Sequence, residues 1–354
     1  MTAAIAPTEE QRRREVCALV RDRADALDRG ETDVRADIAA LGERGLFRLG
    51  LDGTSLDRMV AVIEDVAAES LAAGFSVWAH RVTLECVNRA PEPVRAAFRP
   101  ALENGTEVGV TAMAAGLKHA AGLGETPLIA TEVADGLEVS GPIRWASNVF
   151  RSALVVLPTR TEDGRTFVAL VRTDDPGVTV HPAPQLLALG ATASTSLTLE
   201  RVHVPAAQVV STDLVGFVAR LRPTFLLLQT AFCSGVTGAA LAESEPLLTK
   251  LGKLLEAEHR QVAAEHASVR ERLYRWAAQT TPDGPPPMTG RELVQLRLDA
   301  AGAAVTATRL ESTLRGGAGY ATGSATNRRF REAAFLPIQS PSEGQLRWEL
   351  AQSD

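Results

Sequence analysis

Six histidines, three cysteines and a surplus of acids (43 Asp and Glu against 37 Lys and Arg) are the material from which this 354-residue chain could build a reactive site. Metal chemistry is the first possibility. Glu258-His259 and Glu265-His266 repeat at seven residues within one helical stretch. Seven residues span about 10.5 Å of helix axis, too far for one ion to collect both pairs. Glu256 and His259 match half of a di-iron carboxylate pattern, but the second half is missing. These residues therefore read as a solvated helix face, with His266 on the core stripe. Nucleophilic hydrolysis would want Gly-x-Ser-x-Gly, which is absent. Gly316-Gly-Ala-Gly-Tyr320 has the glycine density of a dinucleotide loop, yet it follows a helix where that loop must follow a strand.

The elements that must carry any site fall into three stretches. Up to residue 106 the apolar residues recur at helical steps: Val16, Leu19, Val20, Ala24 and Leu27, then a helix after Asp33 stopping at Gly45. A third helix starts with Ser55 as N-cap, and an apolar, central one covers Phe75–Val87. A short helix around Val94–Leu102 closes the stretch. From 107 to 212 the period drops to two, with strands over Pro127–Val133, Gly136–Ser140, Ala153–Thr159, Phe167–Thr173 and Ser194–Val202. Ala134-Asp135-Gly136 and Asp163-Gly164 supply the turns between them. Strands without intervening helices predict a compact antiparallel barrel or sandwich. From 213 to 354 helices return, with the stripe Leu255, Val262, His266, Val269, Leu273, Trp276 marking a bundle helix, Thr280–Gly290 a loop and Glu292–Leu314 another long helix.

Composition closes off other classes. A chain that is 45% hydrophobic and 23% charged is neither disordered nor collagenous. A net charge of −6 with no block of Lys or Arg gives nucleic acid no surface to bind. The longest apolar run, Thr224–Val236, is short of a membrane span and contains Gln229, so no membrane partner is expected. Cys17, Cys86 and Cys233 are scattered and odd in number. The N-terminus turns charged at Glu9–Arg14 and lacks a signal-peptide core, so a reduced, cytoplasmic protein is expected.

Four segments in order then carry a family likeness. Val108-Gly-Val-Thr111 stands at the start of the β stretch, and Gly141-Pro-Ile-Arg-Trp145-Ala-Ser147-Asn148 is similar to a Gly-x-Lys-x-Trp-Ile-Thr-Asn strand end. Leu189-Gly190 through Val204-Pro205 follows, and Leu314-Arg-Gly316-Gly-Ala-Gly-Tyr320 precedes Arg331-Glu332-Ala333. Together with the helical, β, helical order, these segments resemble the acyl-CoA dehydrogenase superfamily over nearly the whole chain. The likeness implies an α+β fold: an N-terminal helical domain (1–106), a middle antiparallel β-barrel domain (107–212) and a C-terminal four-helix bundle (213–354). It implies FAD as cofactor, with Thr111, Trp145, Ser147 and Asn148 around the flavin ring. Gly316, Gly317 and Gly319 would meet the cofactor's phosphate and adenosine end across a subunit interface. It implies Arg222 near the nucleotide of an acyl-CoA or acyl-carrier-protein thioester, and a homodimer or homotetramer. The reaction implied is α,β-dehydrogenation. A base removes the α-proton, hydrogen bonds hold the thioester oxygen, and the β-hydride passes to the flavin.

The chain departs from that family where the base belongs. Nine residues after Arg331 the expected glutamate is Ser340, and the alternative base position of some relatives is Leu221. A serine hydroxyl is no base near neutral pH without an activator. Glu343 would regain the role if three residues were inserted around Leu336–Pro341; otherwise it is an acid opening the last helix. Ser147 replaces a threonine and is expected to keep its donor. The family's Thr-Glu-x-x-x-Gly-Ser-Asp becomes Thr111-Ala-Met-Ala-Ala-Gly-Leu117-Lys118, and the arginine that meets the cofactor pyrophosphate becomes Leu248. Lys250 or Lys253 can replace its charge but not its fork. Three functions follow: a divergent acyl-thioester oxidoreductase, a flavin-dependent monooxygenase that needs no α-proton base, and a flavin-poor homologue that kept only the fold.

Overall fold

The Thr8 hydroxyl accepts from the Gln11 N–H to cap the first helix, and the Thr8 N–H donates in return to the Gln11 side-chain oxygen, so the chain enters helix almost as soon as it is described. In the computed structural model, which describes residues 7–352, five helices come first: α1 (Glu9–Asp28), α2 (Arg35–Glu43), α3 (Asp57–Glu69), α4 (Leu71–Asn88) and α5 (Glu92–Glu103). Met1–Ala6, part of the segment read for a signal peptide, lies outside the described residues. The stripe of α1 is Val16, Cys17, Val20, Ala24 and Leu27; Leu19 lies off it, 38% exposed. Ser55 is not the cap of α3: its hydroxyl bonds Asp57, and the helix begins after Leu56 without a side-chain cap. α4 is capped by Ser70 and is buried from Leu71 to Val87, with the polar His80, Arg81 and Glu85 buried along with its apolar residues.

Eight strands and one short helix follow: β1 (Gly109–Thr111), α6 (Ala114–Ala120), β2 (Ile129–Val133), β3 (Gly136–Ala146), β4 (Leu154–Arg160), β5 (Thr166–Arg172), β6 (Val178–Val180), β7 (Thr195–Pro205) and β8 (Val209–Ser211). The sheet runs β6-β7-β3-β2-β4-β5-β8, with β1 beside β4. It is mostly antiparallel, but β1 pairs with β4 in parallel, and so does β2 at one position. β1, β6 and β8 have three residues each, too few for a period-two signal, and their partners rather than their sequences make them strands. β4 is buried on both faces. Leu154 and Val156 enter the helical core, while Val155 and Leu157 enter a separate core within the β layer. Gly109 holds β1 against α4: a Cβ there would stand 2.7 Å from Thr83 Cβ.

Helices close the chain: α7 (Leu214–Ser244), α8 (Glu256–Ala277), α9 (Gly290–Arg315), α10 (Gly317–Tyr320), α11 (Ala325–Ala333) and α12 (Glu343–Gln352). α7 is apolar and long enough to cross a membrane, but it is the spine of the bundle, packed against α3, α4, α8 and α9 and buried from Thr224 to Thr237. In α8 the buried stripe is Val262, Val269, Leu273 and Trp276, with Leu255 outside it. His266 bonds the hydroxyl of Ser234 on α7 at 2.9 Å, which accounts for a histidine on a core stripe. No group of three metal-ligating side chains gathers among the described residues, and all three cysteines are buried and unpaired.

Candidate active site

The ends of β1 and β3 meet the middle of α4. Asn148 follows β3 with φ +65° and is fully buried; its Nδ2 donates to the Ser76 carbonyl of α4 at 2.9 Å and to the Gly109 carbonyl of β1 at 3.2 Å. It thus ties three elements together, and only its Oδ1 is left without a partner. On the same junction the buried hydroxyls of Thr111 and Ser76 have no partner either. Buried polar atoms are nearly always paired, so three orphans at one junction mark a place built to meet something else.

Ser147 sits one residue before this clamp. Its Oγ is 2.6 Å from Ser194 Oγ, which is 2.7 Å from Thr192 Oγ1, and Thr192 donates to the Leu189 carbonyl. Each hydroxyl has one hydrogen, so the Leu189 carbonyl sets the direction of the whole row. Ser194 gives its hydrogen to Thr192 and Ser147 gives its own to Ser194. The expected donor at Ser147 is therefore committed, and the atom it turns outward is an acceptor. Trp145, two residues earlier, is 59% exposed and so is not part of the β-layer core.

The position where the base was expected lies against the bundle's spine, α7. Ser340 follows α11, its carbonyl accepts from Gln229 of α7 at 2.9 Å, and its buried Oγ is unpaired. Gln339 beside it is 5% exposed with Nε2 unpaired. Glu343 opens α12, where its carboxylate is bonded at 2.7 Å by Arg347, a side chain 70% exposed. Glu343 is thus part-exposed, whereas the hydroxyl buried at the turn belongs to Ser340. Leu221 at the alternative base position is buried. Between the two places lies a cluster of rings, with Phe75 stacked on Trp78 at 5.4 Å and edge-on to Phe335 at 5.0 Å, and Trp78 against Phe225 at 4.9 Å.

Arg222 is paired with Glu349 of α12. Gly316 closes α9 with φ +62°, and a Cβ at Gly316 or Gly317 would find no atom within 4 Å, so both present bare backbone. Gly319 differs: its Cβ would stand 2.9 Å from Arg315 Cβ, so this glycine serves the packing of α10. No hydrogen bond or ring contact among the described residues joins this turn to Thr111, Trp145 or Ser147.

Sequence reasoning missed Ser76, Thr192, Ser194, Gln229, Arg297, Gln339 and Glu332. Glu332 is fully buried and receives the Leu71 backbone N–H at 3.4 Å and the Ala72 N–H at 3.3 Å. These N–H groups form the positive end of α4. Burial nonetheless raises its carboxyl to about 7, against the pull of Arg328. A glutamate in the place of the family's Arg-Asp-Ala aspartate was the one available signal among these.

The chain matches no protein-family profile and no curated protein in sequence. Its backbone superposes over 100% of its length on glutaryl-coenzyme A dehydrogenase in complex with glutaryl-CoA, covering 96% of that chain, with TM-score 0.85 and 18% identity. The chain has the acyl-CoA dehydrogenase fold. The same fold likeness extends to PigA with FAD and proline (TM-score 0.82, 13% identity, covering 100% of this chain and 99% of that one). It extends also to dibenzothiophene monooxygenase TdsC from Paenibacillus sp. A11-2 (TM-score 0.78, 19% identity, covering 97% and 96%). Within an acyl-CoA dehydrogenase fold, the orphan hydroxyls belong to β1 and α4, which Asn148 ties to the end of β3, and the exposed indole is on that strand.

Proposed function

We propose that this protein is a flavin-dependent oxidoreductase acting on an acyl thioester. One observation carries the reading: the buried hydroxyls of Thr111 and Ser76 go unpartnered where Asn148 ties β1 and α4 to the end of β3, the strand that carries the exposed Trp145 and leads into the hydroxyl row ending in Ser147. A flavin ring, flat and apolar on its faces with donors and acceptors along one edge, fits that set. Trp145 would cover a face, Thr111 would donate to the edge, and Ser147 would accept from it, with Asn148 holding the strand end that carries them. FAD bound there supplies the hydride acceptor. Its phosphates would lie against the Gly316–Gly317 backbone of a second copy, since this turn makes no contact with Thr111 in its own chain. Leu251 (84% exposed), Leu254 (82%) and Tyr320 (82%) support a homodimer or homotetramer joined at that end.

The chain's own residues do less of the proton chemistry than in a glutamate-bearing relative. Ser340 has one hydrogen to donate to a substrate but cannot hold its α-proton, and Glu343 is paired with Arg347. The α-hydrogen must therefore be acidic in the substrate itself. That same lack favours a second reading, oxygenation by reduced flavin, which needs no such base; the likeness to a monooxygenase agrees with it. A cytoplasmic location is part of the proposal.

The test is reconstitution with FAD followed by anaerobic addition of acyl-CoA. Bleaching of the flavin supports dehydrogenation. Flavin uptake without bleaching moves the case to the oxygenase, and no uptake at all defeats both. Thr111→Val keeps shape and removes the hydroxyl, so FAD affinity should fall about five- to tenfold, the worth of one hydrogen bond.

A further inference from the structure

Arg297 on α9 is 1% exposed, and its hydrogen-bond partners among the described residues are all neutral. Its Nε donates to Gln229 Oε1 at 2.9 Å, and its Nη2 donates to the Leu336 carbonyl at 3.1 Å and to Gln339 Oε1 at 3.0 Å. Its guanidinium carbon stands 5.9 Å from the Phe232 ring centroid. Among the described residues no carboxylate forms an ion pair with it and no hydrogen bond engages its Nη1. The other deeply buried arginines are different. Arg81 has Glu85 at 2.8 Å, and Arg329 has Glu311. A guanidinium does not shed its proton to escape burial, and an ion held in the interior without a counter-charge costs several kcal/mol. Next to this cation are two further buried groups with hydrogens to give and no acceptor: Gln339 Nε2 and Ser340 Oγ.

We propose that Arg297, Gln339 and Ser340 form a receptor for a ligand carboxylate, so that the acyl group this protein accepts carries a carboxylate of its own. Three neutral acceptors hold the inner side of the guanidinium and leave one nitrogen to a ligand. The unpaired amide and hydroxyl supply the remaining donors that two carboxylate oxygens need. Assigning the carboxylate to an acyl substrate rests on the flavin-dependent reading; the receptor itself does not.

The experiment is thermal unfolding of the full-length protein with succinate, against succinamide at matched ionic strength, with flavin content measured on the same samples. Succinate should raise Tm by about 4 °C near saturation and succinamide should not. Gln339→Leu, which leaves Arg297 in place, should at least halve the rise, as should Arg297→Lys, which keeps the charge and loses the fork. No rise, an equal rise with succinamide, or a rise that survives Gln339→Leu would overturn the receptor. A succinate rise in protein that never takes up FAD would leave the receptor standing and defeat the flavin reading. Flavin uptake without a succinate response would do the reverse.

Discussion

Asn148 donates to the backbone carbonyl of Ser76 across 72 positions of sequence, and this bond joins the end of β3 to the middle of α4. The same carboxamide reaches the Gly109 carbonyl. Asn148 is thus the clamp that sets Thr111, Ser147 and Trp145 around one junction. Asn148→Ala should lose about 2–4 kcal/mol, from two buried hydrogen bonds and a left-handed backbone that alanine resists. Urea denaturation measures the loss. Asn148→Gly, free of the backbone strain, should recover about 1 kcal/mol of it.

Trp145 separates ligand surface from core. An exposed indole contributes little to folding, so Trp145→Ala should change stability by less than about 0.5 kcal/mol. FAD retention on gel filtration should nevertheless fall. A large loss of stability with flavin retained would return Trp145 to a purely structural role.

His80 links the helices to β1. Its Nδ1 accepts from the Gly109 N–H at 3.0 Å, so Nε2 must carry the hydrogen donated to the Leu102 carbonyl at 2.9 Å. Burial, helped by the neighbouring Arg81 charge, lowers its pKa to about 4 against the Leu102 carbonyl. A histidine depressed in the folded state contributes stability above its unfolded value near 6.5, and that contribution is lost as pH falls toward 4. His80→Gln keeps a donor and an acceptor but cannot titrate. The wild-type advantage over it should therefore shrink by up to about 3 kcal/mol between pH 7.5 and 4.5, read from urea midpoints.

Glu332 acts in the opposite sense. Burial, with Asp28 adding to it, raises the carboxyl to about 7, while Arg328 and the α4 N–H groups oppose the shift. Stability from the protonated form is complete below the unfolded value near 4.5 and is lost as pH rises through 7. Glu332→Gln should gain on the wild type by about 3 kcal/mol between pH 5 and 8. A flat difference would show that the carboxylate is already charged at pH 5.

Glu343→Gln should leave flavin bleaching unchanged, because Arg347 holds that carboxylate at the surface. Ser340→Ala should slow bleaching with little change in stability, as its hydroxyl bonds nothing in the free protein. Loss of bleaching in Glu343→Gln would restore the glutamate as base.

Much of the fold was legible because hydrophobic period is a local property. The stripe of α8 and the alternation in β3 and β7 each state which face is buried without reference to a partner. β4 shows where this ends, since a run buried on both faces has no period to read and only its position between two cores explains it. At the site, glycine density at 316–319 and the Trp145-Ala-Ser147-Asn148 strand end drew attention by residue type alone. The division of labour among them did not show: Asn148 a clamp, Ser147 an acceptor, Gly319 a packing residue.

Residue order by itself determined the helical, β, helical sequence of elements, the buried character of α4 and α7, and the want of a glutamate at position 340, since each depends on the identity of near neighbours. Only tertiary structure decided which polar groups go unpaired. Arg297 and Ser340 are 43 positions apart and Thr111 and Ser76 are 35 apart, and whether a buried group finds a partner depends on every element folded around it.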